Sequence, residues 1–164
     1  MREVFRRTDK VSLMVSTFFG SGMCPKAPGT AGSFAAAVIA VPLSAVSFTG
    51  CFALLSVFVF FAAVPFVAKT LRDTATDDPG WIVIDEVSGQ FMALAFVSPD
   101  TLYAHPWLFA LGFGLFRFFD ILKPLGIHKL EKLPGAWGVM ADDLLGGIYA
   151  GLVLRGVCAI SGIN

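Results

Sequence analysis

Between Ala31 and Ile163 the chain alternates apolar runs with short polar stretches, and apart from Arg117 and Arg155 the runs carry no charge. They extend from Ala31 to Phe48, Cys51 to Ala68, Val87 to Val97, Trp107 to Phe119, and Leu144 to Ile163. A hydrocarbon core about 30 Å thick needs roughly 20 helical residues, within a range of about 17 to 25. The first, second and last runs meet that length. The third and fourth are short, so they extend into their flanks, tilt, or form a re-entrant pair within a bundle. With 56% apolar and only 15% charged residues, 17 Phe and a mean hydropathy of +0.77, the chain departs from soluble domains, which are roughly 45–50% apolar and about 25% charged. The expected fold is all-α, a compact helical membrane bundle of about four to five membrane-associated helices. No linker, charge block or repeat divides the 164 residues. One domain is therefore expected, with an N-terminal segment and Gly/Pro-rich loop over residues 1–30 and the bundle over 31–163.

Charge distribution orients such a bundle. If all five runs cross, every Lys and Arg except Arg155 falls on the side that holds the N-terminal segment. By the positive-inside rule that side is cytoplasmic. The same arrangement brings Asp85, Glu86, Asp120, Asp142 and Asp143 to that side, which no charge count requires. Arg2, Arg6, Arg7 and Lys10 before the apolar stretch Val11 to Phe19 resemble a signal peptide, but the stretch is short and no A-x-A-like site follows, so a retained segment is expected. Net charge is zero and no basic patch interleaves with aromatics, which excludes nucleic acid as a partner. Cys24, Cys51 and Cys158 are scattered and odd in number, with neither disulfide nor zinc spacing. Gly147 and Gly151 form G-x-x-x-G, a face for close helix packing that leaves a homo-oligomer open.

The acidic residues carry the chemistry. A carboxylate beside an apolar run loses hydration and needs a cation, a proton or hydrogen bonds in compensation. Asp85-Glu86 and Asp142-Asp143 each stand at the beginning of an apolar run. Complementing the helix dipole accounts for one acid per helix but not for a doublet at both. Adjacent helical residues point about 100° apart, so the members of a doublet should differ in role. Oxygen-only ligands suit Mg²⁺ or Mn²⁺. Asp120 lies three residues from both Arg117 and Lys123. That spacing allows either a salt-bridged helix end or a ligand flanked by phosphate-gripping cations. Gly20 to Ser33 is rich in Gly and Pro just before a helix. It allows a phosphate cradle or an ordinary turn with Thr30 or Ser33 as helix cap. Asp73, Asp77 and Asp78 read as a solvated loop.

Local patterns exclude several phosphatase chemistries. A C-x5-R loop would need Arg where Thr30 stands, no D-x-D nucleophile occurs, and neither the metal-independent lipid phosphatase motif nor the CDP-alcohol phosphotransferase pattern is present. A metal-assisted reaction on a phosphate-bearing membrane substrate is the favoured class. A small divalent-cation transporter or channel using the same carboxylates is the alternative, and it predicts acids near mid-membrane on several helices.

Four blocks in order resemble the phosphatidylglycerophosphatase A family. They are Gly20 to Ser33; Asp85-Glu86-Val87-Ser88-Gly89; Arg117 to Pro124 with its core Phe119-Asp120-Ile121-Leu122-Lys123-Pro124; and Trp137 to Gly147. Two departures, Lys123-Pro124-Leu125-Gly126-Ile127 where a second proline is frequent and Ile84 where some members have Trp, remove no chemical group. The resemblance implies a Mg²⁺-dependent, all-helical enzyme of the bacterial cytoplasmic membrane, multi-pass and with its active site facing the cytoplasm. Its phospholipid substrate would be phosphatidylglycerophosphate, whose terminal phosphomonoester it hydrolyses. On that reading Asp85, Glu86, Asp120, Asp142 and Asp143 are the metal-binding and catalytic set. Lys26, Gly29, Thr30, Arg117 and Lys123 hold the substrate phosphate.

Overall fold

The structure, a computed structural model, describes residues 8–163. Arg2, Arg6 and Arg7 of the expected N-terminal segment lie outside them. Regular structure among the described residues is entirely helical. The α-helices are α1 (Lys10–Ser16), α2 (Pro28–Ser44), α3 (Cys51–Thr74), α4 (Ile84–Leu94), α5 (Pro99–Ala104), α6 (Trp107–Leu122) and α7 (Ala136–Ile160), with 3-10 turns at Ser21–Met23 and Ile127–Lys132. The fold is an all-α bundle. Helices α3 and α7 are long and apolar enough to cross a membrane, while the apolar α2 is shorter.

Helix α4 is the axis of the bundle. It packs against α2, α3, α6 and α7, and nine of its 11 residues are buried. At 1.5 Å per residue those 11 residues extend about 16 Å, roughly half of a hydrocarbon core. The third apolar run therefore becomes a short central helix sheathed by its neighbours. Backbone proximity makes this arrangement: a Cβ on Gly147 of α7 would strike the carbonyl oxygen of Gly89 in α4, and one on Gly89 would meet Phe116 and stand 2.6 Å from the Asp143 oxygen. Gly151 is closed in the same way by the Phe96 ring. The G-x-x-x-G face is thus consumed within the chain. On the opposite side α4 is clasped to α3 by hydroxyls: Ser56 Oγ donates to the Ser88 carbonyl at 2.8 Å, and Ser88 Oγ returns a bond to the Ser56 carbonyl at 3.1 Å.

The helix boundaries differ from the apolar runs where polar residues join a helix. Cys51 and Trp107 begin their helices as the runs do, but α7 begins at Ala136 rather than Leu144. Asp142 and Asp143 are consequently its seventh and eighth residues, nearly two turns from its start. Their expected place at the opening of a helix is corrected, and helix-dipole complementation, already insufficient for two doublets, does not apply to this one because that effect is confined to the first turn. Asp85 and Glu86 do occupy the first turn of α4. Helix capping by Thr30 or Ser33 is corrected too. Pro28 occupies the first turn of α2, with Ala27 as N-cap at φ 139°, so both hydroxyl residues are inside the helix. There Ser33 Oγ donates to the Gly29 carbonyl at 2.7 Å.

The Gly/Pro loop is pressed onto the segment that leads into α4. Gly22 abuts the Trp81 carbonyl and Gly32 the Val83 side chain, and Val83 N–H donates to the Ser16 carbonyl at 2.9 Å. This docking carries the start of α2 to the start of α4.

Candidate active site

Four helix segments meet at one end of the bundle. The start of α4 supplies Asp85 and Glu86, the second turn of α7 supplies Asp143, and the last two turns of α6 supply Arg117 and Asp120. The start of α2 closes over them, where a Cβ on Gly29 would collide with Glu86 Oε1 and stand 3.3 Å from Arg117 Nη1. Only a glycine lets the α2 backbone come this near. Gly146 lies at the contact of α7 with α6, but there a Cβ would stand at an ordinary van der Waals distance, 3.8 Å from the Asp120 nitrogen.

Asp85, Glu86 and Asp143 each place one carboxylate oxygen within 4.8 Å of the others. Asp85 is 8% exposed and Asp143 is 3% exposed. Asp120 approaches both Glu86 and Asp143 as a like charge. Two unit charges ~4 Å apart repel by about 4 kcal/mol at an effective dielectric of 20. A cluster of this kind requires protons or a cation. Arg117 is the nearby positive side chain: it pairs with Asp120 and stands 3.9 Å from Glu86 Oε1. One guanidinium does not neutralise four carboxylates. Asp85 Oδ1 and Glu86 Oε2 are buried and accept no hydrogen bond. An all-oxygen donor set with unpartnered buried atoms fits a hard divalent cation, and the residues that would hold it are Asp85, Glu86 and Asp143, with Asp120 beside them.

Asp142 is engaged differently. Its Oδ2 accepts from Lys123 Nζ at 2.6 Å, and the same ammonium donates to Glu131 Oε1 at 2.5 Å. Burial works against the Lys123 charge, but these two hydrogen bonds outweigh it and hold its pKa well above the ordinary lysine value. Lys123 itself caps α6 in the left-handed conformation, φ 44°, which turns its side chain away from the Arg117–Asp120 pair and towards α7. Lys26 is exposed in the loop before α2, whereas Thr30 is half-buried in its first turn.

A cleft of about 580 Å³ lies beside Asp142, walled by the end of α3, by Thr76 to Asp78, by Glu131 and by the first turns of α7. Asp77 and Asp78, read from sequence as part of a solvated loop, are exposed on that wall. A second, apolar groove of about 250 Å³ separates α2 from α6, with Phe34 and Val38 on one side and Phe109 and Phe113 on the other. Sequence reasoning gave no functional role to Glu131 or Gln90. Glu131 carried no usable signal, since its meeting with Lys123 depends on the 3-10 turn. Gln90 did carry one: it stands four residues after Glu86 in an otherwise apolar run.

The bundle and its buried carboxylates define a helical protein with a buried acidic cluster, able to hold a metal ion, at one end of apolar helices. Residues 14–158 match the family model of Phosphatidylglycerophosphatase A, and the chain belongs to that family. A protein of Haemophilus influenzae named phosphatidylglycerophosphatase A is 38% identical over 88% of this chain and 90% of its own length. Its Escherichia coli namesake is 29% identical over 86% and 80%. A protein of Bacteroides thetaiotaomicron, named provisionally a phosphatidylinositol-3-phosphatase, is 36% identical over 91% of this chain and 94% of its own. No solved structure is significantly similar to the chain. Family membership makes the protein a phosphoric monoester hydrolase of the phospholipid phosphatase type.

Proposed function

We propose that the protein hydrolyses the terminal phosphomonoester of phosphatidylglycerophosphate, with Mg²⁺ as cofactor, to give phosphatidylglycerol and phosphate. The observation that carries this reading is the buried Asp85, Glu86 and Asp143 cluster with its unpartnered oxygens, set against Arg117 and the start of α2. Asp85, Glu86 and Asp143 would hold a divalent cation, which when bound would supply charge neutralisation for the phosphomonoester and acidify a water. The chain's own groups do the rest. The Gly29 and Thr30 amides lie in the uncapped first turn of α2, where a helix offers N–H donors and positive potential to an anion. Arg117, held between Glu86 and Asp120, presents its guanidinium to the phosphate oxygens as charge develops. Lys26 on the adjoining loop adds a mobile charge for the headgroup. Lys123 acts on the phosphate less directly, through its hold on Asp142.

The substrate's acyl chains stay in the bilayer. Support for a lipid substrate comes from the groove between α2 and α6. Phe34 lies one turn beyond Thr30 on α2, Phe113 one turn before Arg117 on α6, and their rings meet edge to face at 6.0 Å. An acyl chain in this groove would run from the phosphate site into the membrane. We further infer a multi-pass protein of the bacterial cytoplasmic membrane with this end in the cytoplasm, since in sequence every Lys and Arg except Arg155 falls on the same side of the apolar runs as Asp85, Glu86, Asp120 and Asp143. A cation pathway is the weaker reading, because the acids gather at one end beside Arg117 instead of lining a route through the bundle.

The test is phosphate release by the purified protein in detergent micelles containing phosphatidylglycerophosphate, with and without Mg²⁺, beside Asp143→Asn. Release that needs both Mg²⁺ and Asp143 is expected. Phosphatidylinositol 3-phosphate is the comparison substrate, given the name of the Bacteroides relative; a higher kcat/KM for it would reassign the substrate while leaving the site intact. Cation flux into liposomes without lipid hydrolysis would overturn the enzymatic reading.

A further inference from the structure

Gln90 is 0% exposed, and neither its Oε1 nor its Nε2 has a hydrogen-bond partner. Buried carboxamides are almost always paired, so one that is not is a candidate for binding something. Its place in the helix is specific. Gln90 follows Glu86 by four residues, which sets it on the same face of α4 one turn further in. Its neighbours leave it no internal partner: Ser88 is committed to Ser56 on α3, and Gly89 lies against the Asp143 backbone and Phe116. One turn nearer the start of α4, Asp85 Oδ1 and Glu86 Oε2 are buried and unpartnered as well.

We propose that Gln90 belongs to the cation site, its side-chain carbonyl Oε1 supplying a neutral oxygen on the inner side of the carboxylate cluster. This rests on the reading of that cluster as a divalent-cation site. Hard divalent ions accept amide carbonyl oxygens alongside carboxylates. A neutral donor suits the position, because the nearby guanidinium of Arg117 is already shared by Glu86 and Asp120, and another carboxylate deeper in the bundle would have no counter-charge. Gln90 therefore completes the ion's shell without adding to the repulsion among the acids.

The experiment uses the full-length chain in detergent without substrate, titrated with Mn²⁺ and followed by the electron paramagnetic resonance signal of the free ion. Gln90→Leu is expected to weaken Mn²⁺ binding about ten-fold. Its metal-free melting temperature should hold or rise, since an apolar side chain of similar size replaces an unpartnered amide. Gln90→Glu, which restores an oxygen ligand, should bind Mn²⁺ nearly as wild type does while melting lower without metal. Where the leucine variant does not fold, Gln90→Met repeats the test. Mn²⁺ affinity of a folded Leu or Met variant within about two-fold of wild type would overturn the assignment of Gln90 alone. Absence of Mn²⁺ binding by the wild-type protein would remove the cation site, and this inference with it.

Discussion

Lys123 and Asp142 form an ion pair of 2.6 Å that fastens the end of α6 to α7 and turns Asp142 away from its neighbour Asp143. The two acids of this doublet consequently have separable roles. Asp143→Asn is expected to lower phosphate release by about 100-fold or more, through loss of an oxygen in the carboxylate cluster. Asp142→Asn should retain more activity and lose more stability. Breaking a fully buried pair costs about 3–5 kcal/mol; because the Lys123 side chain is 24% exposed, about 1–3 kcal/mol is expected here. Melting curves and phosphate release measured on both variants check the split, and equal effects on the two readouts would contradict it. The pH dependence has a definite sign. Lys123 has a folded pKa above its ordinary 10.5, so its contribution is complete below that value and is lost only as pH rises through the folded one. The melting-temperature gap between wild type and Lys123→Met should hold constant between about pH 7 and 9.

Gly29→Ala places a methyl group onto Glu86 Oε1 and 3.3 Å from Arg117 Nη1. Either α2 retreats or the carboxylate rotates away. A stability loss of about 1–3 kcal/mol is expected from the overpacking. Activity should fall further than stability implies, by about 10–100-fold, because the start of α2 and Arg117 lose their register. Wild-type turnover in a folded Gly29→Ala protein would show that the approach of α2 to Glu86 is dispensable.

Ala110→Trp fills the groove between α2 and α6. Lipid is as apolar as the groove wall, so the groove offers little transfer gain and acts by orienting one chain. Expected is a fall of about ten-fold in kcat/KM for a long-chain substrate, with a dihexanoyl analogue turned over nearly as before. Equal loss on both substrates would point to damage of the site instead.

Asp9 is the N-cap of α1, accepting from the Ser12 N–H and hydroxyl at 2.9 Å each. The backbone bond first, then the hydroxyl bond and nearby Lys69, hold its carboxyl below the ordinary value of 3.8. A depressed folded pKa stabilises above the unfolded value and ceases to do so as pH falls through the folded one. Amide protection factors in α1, exchange rates corrected for their intrinsic pH dependence, should therefore fall below about pH 4 in wild type. In Asp9→Asn, which keeps a good cap without the charge, that fall should be absent.

The sequence alone determined the all-helical, strongly apolar character of the chain and the family motifs, including two carboxylate doublets beside apolar runs that need a cation, protons or hydrogen bonds in compensation. It also placed the starts of α3 and α6, because the apolar runs beginning at Cys51 and Trp107 begin where those helices do. Which carboxylate faces which partner was decided by tertiary structure. Asp143 meets Asp85 and Glu86 only because Gly89 and Gly147 let α4 and α7 touch backbone to backbone. Asp142 meets Lys123 only because α6 ends in a left-handed residue. Even the beginning of α7 at Ala136 lies within a stretch whose polar residues hide the helix from an apolar count. Hydrophobicity is a property of each residue and is legible one position at a time. The convergence of Gly29, Glu86, Arg117 and Asp143 arises from contacts between segments far apart in the chain, and their rotation about four helix axes is set by packing that no local pattern encodes.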